Sequence, residues 1–162
     1  MARTPSFSGL RPASANSSKA KKANKRANTS HELLLRRELR CIGLSYRKNV
    51  NDLPGKPDLV FRRARVAVFC DGDFWHGRNW KLLRRNLERG TNSEYWTRKI
   101  ASNIKRDARI NAVLKKSGWH VMRVWETDIL SNTSGTARRI KRIVVSRLDR
   151  KPKGAEKRQR RG

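Results

Sequence analysis

The spacing of apolar positions divides the chain into a short series of elements. Thr29-Ser30-His31-Glu32 has the form of a capping box, in which the Thr hydroxyl and the Glu carboxylate three residues on cover free amides at a helix start. A helix over about 30–42 follows, burying Leu35, Leu39 and Ile42, and Gly43 ends it. LSYRKNVNDLPGKP reads as a short extended piece and then a turn at Pro54-Gly55. The β-rich runs DLVF (58–61) and RVAVFC (65–70), separated by Arg62, Arg63 and Ala64, predict a short hairpin, and DGDFWHG (71–77) a loop. From about Asn92 to Ser117 the residues Trp96, Ile100, Ile104, Asn111 and Leu114 share a narrow arc at helical spacing, closed by Gly118. WHVMRVW (119–125) reads as a buried strand reached from the hairpin through this helical crossover, so it should pair in parallel. A last amphipathic helix over 135–148 sets Ile140, Ile143, Val144 and Arg147 along one side. The order helix, hairpin, helix, strand, helix, without an internal repeat, predicts an α/β fold with a mixed central sheet flanked by helices.

Charge changes this picture most. Forty-one Lys and Arg stand against 13 Asp and Glu in 162 residues, a net charge of +28. Residues 1–30 carry seven basic and no acidic side chains, and 149–162 carry seven basic and two acidic ones, so both ends read as polar, disordered tails. Residues 31–148 keep 27 basic against 11 acidic side chains, a net +16 on the part that should fold. Self-repulsion of that size destabilises a compact state unless something anionic binds, and nucleic acid is the first candidate, ahead of ribosomal or membrane surfaces. Five Trp and four Phe are too many for a purely disordered basic chain. There is no apolar run long enough to span a bilayer and no secretory leader, so a soluble intracellular protein is expected. Cys41 and Cys70 allow at most one disulfide and exclude a cysteine-rich zinc site.

A few polar residues fall where the pattern makes charge expensive. With the hairpin turning at 62–65 and Phe61 opposite Val66, Asp58 faces Phe69 and Asp71 lies two residues further along the same face. Two carboxylates would then share one end of the sheet, an arrangement that a divalent cation with oxygen ligands relieves; two loop aspartates fixing turns would give the same spacing. Asp107 falls near the centre of the apolar arc of Ile100, Ile104 and Leu114, so it needs a cation, a metal or a histidine, and topology makes His76 the nearest. A carboxylate-held metal with an imidazole positioned by a second carboxylate suits metal-assisted phosphodiester hydrolysis. Phe74 and Trp75 sit between the acidic and imidazole positions; they read either as core filler or as a wedge that unstacks bases.

Five ordered blocks, TSHELLLR (29–36), LPGKPDLV (53–60), DGDFWHG (71–77), Tyr95-Trp96 through Arg106-Asp107, and Gly118-Trp119 through Val124-Trp125-Glu126, resemble the very short patch repair endonucleases over roughly 20–130. The resemblance implies the restriction-endonuclease-like (PD-(D/E)XK-type) fold. It also implies a Mg²⁺-dependent enzyme that nicks one strand of double-stranded DNA at T:G mismatches left by deamination of 5-methylcytosine. Position by position, Asp58 matches the metal-binding aspartate, the Cys70 backbone carbonyl the second metal contact, His76 the catalytic histidine, Asp107 the active-site aspartate and Glu32 a supporting acid. Phe74 and Trp75 match aromatics that intercalate beside the mismatch, and Lys99, Ile100 and Asn103 match helix positions that face the mismatched pair. The layout implied is a DNA-embracing basic arm at 1–28, an endonuclease domain at 29–148 and a basic tail at 149–162, in a monomer of the nucleoid-associated cytoplasm with mismatch-repair proteins as further partners.

Two departures from the family pattern stand out. The best-known member holds a structural zinc with three cysteines and a histidine, at positions that here read Asp73, Arg78, Trp80 and Thr127, so no structural zinc is expected. Asp71 replaces a histidine of that member and, as a carboxylate, would add a metal ligand and belong to the catalytic set. A restriction-type or phage-defence nuclease of the same fold is the competing enzyme reading. A non-catalytic basic DNA-binding protein is the competing reading from another class, and it leaves Asp58, Asp71, His76 and Asp107 unexplained.

Overall fold

The computed structural model describes residues 28–149; apart from Asn28 and Asp149, the basic arm and tail expected at the two ends lie outside the described residues. In chain order the elements are α1 (Ser30–Cys41), β1 (Arg47–Lys48), β2 (Leu59–Phe61), β3 (Val66–Asp71), α2 (Trp80–Glu88), α3 (Ser93–Lys116), β4 (His120–Trp125), α4 (Glu126–Ser131) and α5 (Thr133–Asp149). The four strands lie side by side in the order β1-β2-β3-β4. The first two pairings are antiparallel, and Phe61 lies opposite Val66 as the hairpin reading requires. The α3 crossover makes β3 and β4 parallel, so both strands end at the same edge, at Asp71 and Trp125.

Strand alternation sorts the side chains between two layers. Val66, Val68 and Cys70 of β3 and Met122 and Val124 of β4 face Leu35 and Leu39 of α1, Ile129 of α4 and Ala137, Ile140 and Val144 of α5. Leu35, Leu39 and Ile140 are fully buried there, each contributing about 1.5–3 kcal/mol of transfer free energy. On the other face, Ala67 and Phe69 pack with Leu114 of α3, and Leu53, Ile110, Trp119 and Val121 fill in around them. Asp71 shares this second parity, so the alternation that buries Phe69 also delivers the Asp71 carboxylate to the α3 side of the sheet.

Several local expectations change. Thr29 does not cap α1 in the reciprocal way: its hydroxyl donates to Glu32 Oε1 at 2.9 Å, while Glu32 Oε2 accepts from the Asn28 N–H at 3.0 Å. Glu32 therefore ties down the two residues ahead of the helix. Two helices were not foreseen. None of the residues of α2 is fully buried, because the helix packs mainly against α3 and leaves Leu82 exposed, and α4 is a six-residue turn between β4 and α5. The strand β4 is buried only at Met122 and Val124; the alternate positions carry Val121, Arg123 and Trp125 towards the α3 side, partly exposed. At the far end Gly118 (φ +78°) turns the chain out of α3, with Trp119 N–H bonding to Leu114 O, a C-terminal turn that needs the left-handed conformation.

Candidate active site

The carboxyl ends of β3 and β4 open onto the loop 72–79, which crosses above α3 and returns the chain to α2. His76 stands in this loop. Its Nδ1 bonds Asp107 Oδ2 at 2.6 Å and lies 3.5 Å from Asp71 Oδ1, while about a quarter of the side chain stays open to solvent. Arg123 closes the cluster from β4: Nη1 donates to both Asp71 oxygens at 2.8 and 2.7 Å, Nη2 lies 3.2 Å from Asp107 Oδ1, and Nε donates to Asn111 Oδ1 at 3.1 Å. Burial pushes the Asp71 carboxyl above its ordinary range against the pull of His76 and Arg123. For Asp107 burial acts upward too, but the His76 bond, Arg123 and Arg106 together outweigh it and hold this carboxyl low.

Asp58 precedes β2 and does not stand on the sheet face opposite Phe69. Its Oδ2 accepts the Cys70 N–H at 2.7 Å, filling the place that β2 leaves vacant beside the end of β3. The N–H and C=O of one extended residue leave a strand on the same side, so the Cys70 carbonyl is directed to the Asp58 side as well. Burial, reinforced by the negative charges of Glu32 and Asp71, drives the Asp58 carboxyl up to about 6 against the Cys70 N–H and Arg36. Among the described residues no ion pair reaches Asp58. A half-buried carboxylate with no paired cation, next to a main-chain oxygen, fits a hard divalent ion that would complete its shell with water and phosphate oxygens. It does not fit a closed all-protein cage, and among the described residues no group of three or more His, Cys, Asp or Glu forms one.

Asp71, expected as a metal ligand, has both its oxygens bonded by Arg123 in the metal-free site. Ile100 and Asn103, expected to face a base pair, are both buried beneath the loop in the DNA-free protein. Ile100 is 0% exposed, under Gly77, and Asn103, 8% exposed, uses its Nδ2 to hold the Trp75 carbonyl at 2.9 Å. Both side chains support the loop from below. Lys99 remains half-buried on the same helix. Phe74, 37% exposed, and Trp75 form an aromatic group with Trp96, the three ring centroids lying 5.2–5.8 Å apart. Trp96 thus belongs to this loop and not to the central core.

Gly77 sets how closely the loop approaches α3. It adopts φ +70°, and a Cβ there would come within 2.6 Å of Ile104 Cδ1 and 3.2 Å of Ile100 Cγ2. Gly77→Ala should destabilise the protein by about 1–2 kcal/mol from the left-handed backbone alone. Urea unfolding checks the value; an unchanged midpoint would mean that the loop can relax freely.

Glu32 and Arg36 are both buried and pair at 3.0 Å, with Arg36 also donating to Asn28 Oδ1 and Asn49 Oδ1. Arg36→Ala leaves the Glu32 charge buried alone and should cost about 3–5 kcal/mol in chemical denaturation. On the other flank, Arg78 joins Asp128 at 2.6 Å and Asp73 at 3.5 Å, lies over the Trp125 ring, and the Thr127 hydroxyl donates to Asp73. Asp73, Arg78 and Thr127 are thereby brought together as an ion-pair and hydrogen-bond network that ties the loop to α4.

Comparison with known proteins places these residues in a family. The family model for the DNA mismatch endonuclease Vsr matches residues 13–82. The chain is 41% identical over 126 residues to the type II nicking enzyme V.NmeDIP of Neisseria meningitidis serogroup C, covering 78% of this chain and 84% of that protein. It is 37% identical over 130 residues to the type II nicking enzyme V.HpaIIP of Haemophilus parainfluenzae, covering 80% and 91%. It is 34% identical over 107 residues to the DNA mismatch endonuclease Vsr of Escherichia coli strain K12, covering 64% and 67%. The chain belongs to the Vsr endonuclease family.

Within this Vsr-family chain, sequence reasoning brought His76 to Asp107 and overlooked Arg123. A signal for it existed. An arginine in the middle of WHVMRVW occupies a position that strand alternation sends under α3, and a cation there requires carboxylate partners. Asn111, counted in the apolar arc, turns out to be the third residue, with Asp71 and Asp107, that anchors the same guanidinium. Among the described residues no helix is long and apolar enough to cross a membrane.

Proposed function

We propose that this Vsr-family enzyme has the restriction-endonuclease-like fold and nicks one strand of double-stranded DNA, in a Mg²⁺-dependent reaction, at T:G mismatches arising from 5-methylcytosine deamination. The observation that carries the reading is the convergence of Asp58, His76 and Asp107 at one sheet edge, beside an aromatic pair on the same loop. Asp58 and the Cys70 carbonyl would hold the metal, which when bound polarises the phosphate and offsets developing charge. Asp107 accepts the Nδ1 proton of His76 and fixes the ring, which leaves Nε2 to move a proton to or from the reacting oxygen. Phe74 and Trp75 supply the apolar wedge at the mismatch, Lys99 supplies a cation beside it, and the basic surface tracks phosphates. The enzyme acts as a monomer in this reading.

The names of the relatives support nicking, and the mismatch itself is carried by the name of the Escherichia coli relative. The deciding experiment compares nicking of T:G, T:A and C:G duplexes with and without Mg²⁺. At least tenfold faster cleavage of T:G supports the reading by about 1.4 kcal/mol of discrimination; equal rates would remove the mismatch claim and favour the restriction-type alternative. Metal dependence should also follow pH. Below about 6 the proton on Asp58 competes with the cation, so the Mg²⁺ concentration for half-maximal nicking should rise roughly tenfold per pH unit. A flat requirement between pH 5 and 7 (on the order of one titration range) would place the metal elsewhere.

A further inference from the structure

We infer that Arg123 is a positioning residue for this reaction: it withdraws Asp71 from His76 and turns Asp107 towards it, so that the imidazole is held in one orientation. The inference rests on the assignment of His76 as the proton-moving group.

Two carboxylates lie within reach of one ring nitrogen. Asp107 Oδ2 is 2.6 Å from His76 Nδ1 and Asp71 Oδ1 is 3.5 Å from it, so Asp71 needs to gain less than an ångström to compete for the same proton. The guanidinium decides between them. Its Nη1 occupies both Asp71 oxygens, while Nη2 engages Asp107 through Oδ1, the oxygen that His76 does not use, and so sets the rotation that points Oδ2 at the ring. Arg123 is itself immobilised: Nε bonds Asn111, and the guanidinium carbon lies 4.6 Å from the centroid of the Phe69 ring. Asn111 and Asp107 both belong to α3, one turn apart, so the arginine spans β3, β4 and α3 at once. A lysine at this position would keep the positive charge. It lacks the planar fork that serves three acceptors in fixed directions.

Arg123→Lys therefore separates charge from positioning. With a Mg²⁺-loaded enzyme and a nickable duplex, kcat should fall roughly 10–100-fold, the size of effect that about an ångström of misplacement produces, with KM within about twofold. The thermal midpoint should stay close to wild type. A kcat within about twofold of wild type would overturn the inference, as would a loss confined to KM. A second measurement does not depend on any variant folding. In ¹H–¹⁵N correlation spectra of the wild-type protein, at a pH where the ring is neutral, His76 should show one environment with the proton on Nδ1 and a bare Nε2. Two exchanging environments, or the opposite tautomer, would overturn the inference. His76→Ala is the separate arm: if it retains wild-type cleavage, the assignment of His76 fails; if it loses cleavage while Arg123→Lys does not, only the role given to Arg123 fails.

Discussion

Asp58→Ala should abolish Mg²⁺-dependent nicking and leave affinity for the duplex within about twofold of wild type, because affinity is carried by cationic contacts to phosphates and not by this carboxylate. The expectation follows from how the fold treats Asp58. It is half-buried at the end of the sheet, bonded to the Cys70 N–H, close to the charges of Glu32 and Asp71, and unpaired by any cation among the described residues. An arrangement selected for stability alone would not keep such a group. The cost has a sign that can be measured in the metal-free protein. The carboxyl titrates at about 6 in the folded chain against an ordinary 3.8, so the native state holds the proton more tightly than the unfolded state does. Stability therefore falls as pH rises from 3.8 through 6, and the full penalty is present above that range. Asp58→Asn keeps an oxygen acceptor for the Cys70 N–H and removes the charge. It should stabilise the metal-free protein by up to ~3 kcal/mol at neutral pH while eliminating cleavage. Retained cleavage in either variant, or destabilisation by the asparagine, would remove Asp58 from the metal site.

His76→Ala should slow nicking by about 10²–10⁴-fold, the contribution of a positioned acid or base, with little effect on stability because the ring is partly exposed and its loop is held by Asn103 and Gly77. Asp107→Asn should produce a comparable loss. Its amide can donate to Nδ1 in place of accepting from it, which would favour the tautomer with the proton on Nε2. Since the two residues act as one unit, the double variant should be no slower than the slower single variant. Multiplicative losses would mean that Asp107 works independently of the imidazole.

The parts of the fold that were legible are those encoded by nearby residues. The hairpin register with Phe61 against Val66 came from two β-rich runs and a short turn, and the parallel β3–β4 pairing from a crossover helix too long for a hairpin. Asp107 was recognised as inward-facing because helical spacing put it among Ile100, Ile104 and Leu114, and the structure indeed brings it to His76. The same spacing holds in the preceding turns of α3. Ile100 and Asn103 lie on the inward arc too, and there the inward side is covered by the loop, so Ile100 packs beneath Gly77 and Asn103 holds the Trp75 carbonyl. Periodicity reports which side of a helix is covered and is silent on what covers it. Helix α2 escaped notice because none of its residues is fully buried, and the capping box failed in detail because Glu32 is shared among Thr29, Asn28 and the buried Arg36.

Residue order alone established the basic character of this chain, its α/β succession, and the presence of a few acidic and imidazole groups retained against a net charge of +28. These are properties of composition and of contacts within a turn or two, which a linear pattern records directly. The pairing of charges was a matter for the folded molecule. That Arg123, 52 residues away, bonds both Asp71 oxygens could not be read from the chain, and Asp58 looked like a partner of Phe69 until its carboxylate was found on the Cys70 amide. Which carboxylate remains available for a cation depends on distances of a few ångströms between distant segments, because Coulomb and hydrogen-bond energies change steeply over that range inside a protein. The pairing of β2, β3 and β4 and the packing of α3 against them set those distances.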